Sequence, residues 1–394
     1  MKRIFTLIAI PALVLAHLAS CAYTAKLNPN APEPTAPEPV TSAFTSTDST
    51  TPESAVSEPT TQEPMSKESM ETVYPPPGEH ITIKGVEYST LLTNLELGGH
   101  ELSNEDIMPL QYMTSLNTLS IVGTQISDIT PLANLTDLED LMLFGNPIND
   151  ISPLSNLTNL KRLLIRNCTI GDITPLSGLT KLESLRLEET GISDIAPLFG
   201  LINLKLLSLG DNGINDITPL ANFTNLESLW LFYNGINDIS PLSELAKLET
   251  LSLGNNRIYD ISPLSGLTNL EVLALNGNQI SDITPLSELV NLKSLSLGCG
   301  DVMCEGMRGN LIDDIAPLSA LTDLERLVLD CNQLSDITPL SGLTNLERLE
   351  LSYNQIRDIA PLFGLTRLTY LCLRDNEISD WSAVAHIVDV FGRP

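Results

Sequence analysis

Residues 270–289 read LEVLALNGNQISDITPLSEL, and this unit returns along the chain every 22 residues. Prolines mark the interval. They stand at 109, 131, 153, 175, 197, 219, 241, 263 and 285, each 22 after the last. A gap of 32 leads to Pro317, after which Pro339 and Pro361 resume the period. A fixed interval in the twenties, with Leu at fixed offsets, marks stacked solenoid coils rather than a globular fold.

The unit reads directly as physical chemistry. Leu273 and Leu275 form an L-x-L pair, the alternation of a short strand with every second residue inward. Ile280 and Ile283 return to the core. Thr284-Pro285 starts a helical turn, where Thr can cap and Pro gives up no needed N–H. Leu286 and Leu289 supply that turn's apolar side. With Leu270 the coil offers seven apolar positions and cannot bury them alone. Stacking strands at about 4.8 Å per coil joins them into one core.

Two further columns carry polar chemistry. Asn stands at 146, 212, 234, 256, 278, 310, 332, 354 and 376, with Thr124, Cys168 and Thr190 in the other slots. A buried Asn there would satisfy backbone groups of its own coil and the next. Asp fills all twelve slots of the second column, from Asp128 to Asp380. One carboxylate per coil, two residues before the turn's Pro-flanking position, suits backbone capping better than the clustered oxygens calcium requires. Ala196, Ala316 and Ala360 leave Asp to cap unaided.

The rest of the chain divides around this array. Residues 1–20 are expected to be a lipoprotein signal peptide. Lys2 and Arg3 precede an apolar run too short to span a bilayer, which ends in Leu18-Ala19-Ser20-Cys21. That tetrad resembles the bacterial lipobox and implies lipidation of Cys21, hence anchoring to a membrane by acyl chains. Residues 21–77 are Pro/Thr/Ser/Glu-rich and lack periodicity, as expected of a disordered stalk. Residues 78–107 form an N-terminal cap and an irregular first repeat. Residues 108–381 carry the repeats, with an insertion at 298–309. Residues 382–394 form a C-terminal cap, in which SAVAHIVDVF at 382–391 reads as an amphipathic helix behind Trp381.

Composition bounds the function. The formal charge is −28, and loss of Lys2 and Arg3 with the leader makes it −30, which argues against nucleic acid as a partner. Outside the leader the histidines are His80, His100 and His386, scattered among caps and the first coil. There is no nucleophile elbow, phosphate-binding glycine loop or metal-spaced Cys/His cluster, so neither an enzyme, a cofactor nor a metal site is expected. Cys299 and Cys304 lie in the insertion and could pair in an oxidising compartment. Cys299 and Cys331 occupy equivalent places in adjacent coils and are also within disulfide reach, so both pairings stay open.

Binding is expected on the outward strand positions. Most are small or charged, such as Ser120, Ser208, Ser252 and Ala274. One region differs. Trp230, Phe232 and Tyr233 share a coil, with Leu206 beside them; Met142, Phe144 and Leu164 form a second apolar group, and Arg162, Arg166 and Arg186 lie between. Exposed aromatic and Arg clusters are the usual stuff of binding hot spots. The blander alternative is that these rings pack on neighbouring side chains.

The unit L-x-x-L-x-L-x-x-N-x-I-x-D-I-x-P-L-x-x-L, as at 226–245 and 270–289, closely resembles the 22-residue leucine-rich repeat of bacterial internalins. The resemblance implies an α/β leucine-rich-repeat solenoid, with a curved parallel β-sheet on the concave face and short 3₁₀ turns on the convex face. It also implies non-covalent binding of a protein ligand through the concave face. The sequence departs from that family in lacking its helical N-terminal cap, its immunoglobulin-like segment and its wall-sorting signal, so host-cell invasion is not implied. The expectation is a monomeric, lipid-anchored, surface-exposed bacterial protein. The alternative is a structural or adhesive envelope protein that recognises glycan or matrix.

Overall fold

The computed structural model describes residues 78–99, 101–299 and 309–393. The expected leader, Cys21, the stalk and Cys304 lie outside the described residues.

The chain enters through an antiparallel hairpin of β1 (His80–Ile83) and β2 (Val86–Ser89). Its turn residues Lys84 and Gly85 both have positive φ, 50° and 80°, the geometry that matches strand twist in a two-residue loop. Ile81 and Ile83 are buried, so the hairpin covers the first coil as a cap must. β3 (Asn94–Gly98) then opens a sheet of fourteen strands in strict sequence order. One α-helix occurs among the described residues, α1 (Asn104–Ile107), started by a capping box in which the Ser103 N–H donates to Asp106 at 2.8 Å.

From β4 (Thr118–Val122) onward each coil repeats one plan. β10 (Thr250–Ser252), β11 (Val272–Ala274) and β12 (Ser294–Ser296) show it: all are parallel, and Leu251, Leu273 and Leu295 face one another in register. The inward Leu and Ile residues are 0–2% exposed along almost the whole array, and Phe223 fills one of the Leu slots completely buried. The convex side is a column of 3₁₀ turns such as Thr284–Leu286. In them Thr284 is not the cap. The Asp282 carboxylate accepts the Thr284 N–H at 2.8 Å, and all twelve Asp residues of the column repeat that bond. Bonds from the Thr hydroxyl, and then the Thr N–H, hold Asp172, Asp216, Asp282 and Asp336 below the usual carboxylate range. For Asp260 and Asp380 the Ser N–H is the larger cause.

The Asn column does what its chemistry predicts, in the opposite direction. Asn278 donates its amide hydrogens to the carbonyls of Leu253, Leu275 and Asn276 at 2.9, 3.0 and 3.3 Å, and accepts the Ile258 N–H at 3.0 Å. It therefore serves its own coil and the preceding one, not the next. Asn310 repeats the pattern across the insertion, reaching Leu275 and Leu297. A second amide ladder, which the sequence reading missed, runs along the strand-entry edge. Asn159, Asn203, Asn225, Asn269, Asn291 and Asn345 each donate to a carbonyl 23 residues earlier.

The C-terminal helix is not formed. Ser382–Val384 is another 3₁₀ turn, and β16 (Asp389–Phe391) joins the sheet beside β15 (Tyr370–Cys372). Val384 and Ile387 are 22 residues after Leu362 and Leu365 and are buried in the same slots. The β-branched run Val384, Ile387, Val388, Val390 favours strand over helix. Trp381 packs partly buried against the core, as expected of a cap residue.

Candidate functional site

The concave sheet presents the residues that flank each inward Leu. Its N-terminal half is built by β5 (Asp140–Phe144), β6 (Arg162–Arg166), β7 (Ser184–Glu188), β8 (Leu206–Ser208) and β9 (Ser228–Trp230). In register these strands bring Phe144 beside Arg166, Arg166 beside Glu188, and Ser208 beside Trp230.

An isolated ion pair and a larger charge network result. Arg162 pairs with Asp140. Arg166 binds Glu189 through Nε and Nη2 at 3.0 and 2.6 Å, approaches Glu188 at 3.4 Å, and lies 5.9 Å from the centre of the Phe144 ring. Glu188 is buried, accepts the Ser208 hydroxyl at 2.5 Å, and attracts Arg186. Burial holds the Arg186 guanidinium below its usual value, with Arg166 acting the same way and Glu188 opposing. Arg162, Arg166 and Arg186 thus meet Asp140, Glu188 and Glu189, so the patch is charge-balanced. Its recognition would rest on shape, rings and directed hydrogen bonds more than on net charge.

The aromatic trio is not the open platform its positions predict. Trp230 is only 7% exposed, because the Arg186 guanidinium lies 5.4 Å from its ring centre. Ser208 and Ser252, its register neighbours, leave the ring room to lie down. Phe232 is half-buried and lies on Gly210; a side chain there would start 2.3 Å from the ring. Tyr233 is exposed but has left the sheet face. It occupies the turn after the strand with φ 51°, a place taken by Gly145, Asn167, Asp211 and Asn255 in other coils. Its ring stands edge-on to Phe232, 6.2 Å away. Phe144 is exposed, and Leu206, Met142 and Leu164 are half-buried. The packing alternative therefore describes Trp230, and the exposed-ring reading describes Phe144 and Tyr233.

A second ring cluster, which the sequence reading missed, sits at the C-terminal end. The Arg348 guanidinium lies 3.9 Å from the Tyr370 ring centre, and Arg374 lies 5.7 Å from that of Phe391. The two rings are 5.2 Å apart. Phe391 was hidden in the segment read as helix. Outward positions alone would have found Tyr370 and Arg348. Between the clusters three strands present mostly small residues, Thr250, Ser252, Ala274, Ser294 and Ser296 beside Val272, and the next strand brings Arg326 and Val328. From β9 to β14 (Arg348–Glu350) is five strand spacings, about 24 Å.

Other candidates resolve differently. No group of three or more His, Cys, Asp or Glu able to hold a metal occurs among the described residues. No helix among them is long and apolar enough to cross a membrane. Cys21 and Cys304 lie outside the described residues, so the lipid site and the pairing of Cys299 with Cys304 are not described.

A family model described as leucine-rich repeats in two copies matches residues 114–156, 158–200, 202–247, 246–288, 268–301 and 344–386. Among solved structures, internalin InlF from Listeria monocytogenes is 36% identical with TM-score 0.72, over 79% of this chain and 91% of that one. A leucine-rich-repeat protein of Leptospira interrogans is 21% identical with TM-score 0.67, over 77% and 79%. The functional domain of InlJ from Listeria monocytogenes, which includes a cysteine ladder, is 19% identical with TM-score 0.58, over 76% and 72%. The latter two share the fold alone. No curated protein matches the sequence.

Proposed function

The chain belongs to the internalin-type family of bacterial leucine-rich-repeat proteins, and from that premise we propose that it binds another protein non-covalently through its concave sheet. The observation that carries this reading is the network joining Arg166, Glu188, Ser208, Arg186 and Trp230. A buried carboxylate and a desolvated guanidinium on a sheet face carry a desolvation cost, and a role in recognition is a reason for keeping them. Rings pre-fixed by such contacts lose little entropy on binding. Phe144 and Tyr233 supply exposed contact area at the rim.

In the same reading the protein stands outside the cytoplasm, tethered by acyl chains at Cys21 and held off the membrane by the Pro/Thr/Ser/Glu-rich segment. Replacement of Cys21 by Ser should release it from membranes; retention would sink the tether.

The binding test compares faces. Phe144→Ala with Tyr233→Ala should abolish capture of a protein ligand, while Phe199→Ala, on an exposed convex ring, leaves capture intact. Capture that survives loss of both rim rings, or fails only with Phe199→Ala, would remove the concave reading. Binding on a glycan array with no protein ligand would replace it by the adhesive alternative.

A further inference from the structure

We propose that Cys299 and Cys331 form a disulfide that staples two neighbouring coils and locks the root of the insertion. Cys299 follows β12 and Cys331 follows β13 (Arg326–Val328), the adjacent strand. Their sulfurs lie 2.6 Å apart although 32 residues separate them in sequence, and a disulfide needs about 2.05 Å.

Both ends of the insertion converge on Cys331. Cys299 reaches it at the outgoing end by sulfur. At the returning end Gly309 is buried against it; a side chain there would start 2.0 Å from the Cys331 carbonyl oxygen and 2.8 Å from its Cβ. Asn310 then resumes the amide ladder at once. The two described ends of the insertion thus stand on one residue, and a covalent bond at that point fixes both.

The other described cysteines are placed elsewhere. Cys168 is buried with its thiol toward the carbonyls of Leu143 and Arg166, and burial raises it. Cys372 stands two coils from Cys331, in contact with the Ser352 hydroxyl at 3.1 Å.

Formation of the bond removes one hydrogen from each thiol. The two electrons and two protons pass to a disulfide oxidant, either oxidised glutathione or a thiol oxidoreductase, which leaves as two thiols. In the organism the pairing rests on the extracytoplasmic placement proposed above, since a reducing cytosol would keep both thiols reduced.

Peptide mapping by mass spectrometry tests it on the purified full-length chain, equilibrated with oxidised glutathione, alkylated and digested without reductant. The expected product joins the peptides of Cys299 and Cys331, two hydrogens lighter than their sum, in the native chain and equally in Cys304→Ser. Reductant should lower the thermal midpoint of both by several degrees and leave that of Cys331→Ser unmoved. A link between Cys299 and Cys304, loss of the cross-link in Cys304→Ser, or alkylation of both Cys299 and Cys331 would overturn the proposal. If Cys331→Ser does not fold, the map of Cys304→Ser decides alone.

Discussion

The guanidinium of Arg186 covers the ring of Trp230, 5.4 Å from its centre, so the tryptophan belongs to the scaffold as well as to the surface. Trp230→Ala should therefore destabilise the array, by about 3 kcal/mol for loss of a buried ring. Tyr233→Ala removes an exposed ring and should stay within about 0.5 kcal/mol of the parent. Denaturant midpoints for the two variants check this; equal midpoints would show that Trp230 is not structural.

Asp330 sits in the turn region beside Cys331, and one of its oxygens is buried without a hydrogen-bond partner. Burial pushes its carboxyl up to about 7, with Glu350 adding to the rise and Arg348 opposing. The folded chain then holds a proton that the unfolded chain, near 3.8, releases. Stability contributed at this site falls as pH rises from about 4 to about 7 and stays lowered above. Asp330→Asn should raise the thermal midpoint at pH 8, by at most about 4 kcal/mol in stability, and the gain should fade toward pH 4. An equal gain at both ends of the range would rule out titration as its cause.

The capping column has the opposite sign. Asp172, Asp216, Asp260, Asp282, Asp336 and Asp380 have folded values below 3.8, so the stability they add is present above it and lost as pH falls through those values. The thermal midpoint should drop on acidification below about pH 4. Asp282→Ala should lower the midpoint at pH 7 and flatten that acid limb slightly. A parent midpoint unchanged between pH 5 and pH 2 would contradict the capping role.

Asn278→Ala strips the carbonyls of Leu253 and Leu275 and the N–H of Ile258 of a buried partner. The loss should reach about 2–4 kcal/mol, and hydrogen exchange at Ile258 should accelerate. Asn269→Ala, on the exposed second ladder, should cost less than half of that. Equal losses would mean that burial of the amide is not what matters.

The scaffold was legible because it is local and repeated. The Pro, Asn and Asp columns recur at fixed offsets in most coils, with Thr124, Cys168 and Thr190 as the exceptions among the Asn slots, so one coil interprets nearly all the others. Asp282 capping Thr284 could be read from two residues of spacing. The surface was not legible in the same way, because it depends on heights across strands. Trp230 is covered because Ser208 and Ser252 are short and Arg186, two strands away, is long. No single coil carries that information. Tyr233 was misplaced for a smaller reason: the left-handed turn begins one residue after Phe232 and lifts its side chain off the sheet. The closing strand was missed because Val384 and Ile387 have the three-residue spacing of a helix face as well as of a 3₁₀ turn. Their β-branching was the clue that separates the two.

The backward reach of the amide ladder gives the molecule a direction in time. The N–H of Ile236 meets its acceptor only when Asn256 arrives, and that of Ile258 only with Asn278. During synthesis from the N-terminus, each newly emerged coil is finished by its successor. The ordered part of a growing chain should trail the most recent coil by one full turn of the solenoid. A truncation at any coil boundary should then leave the terminal coil frayed, while those before it remain closed.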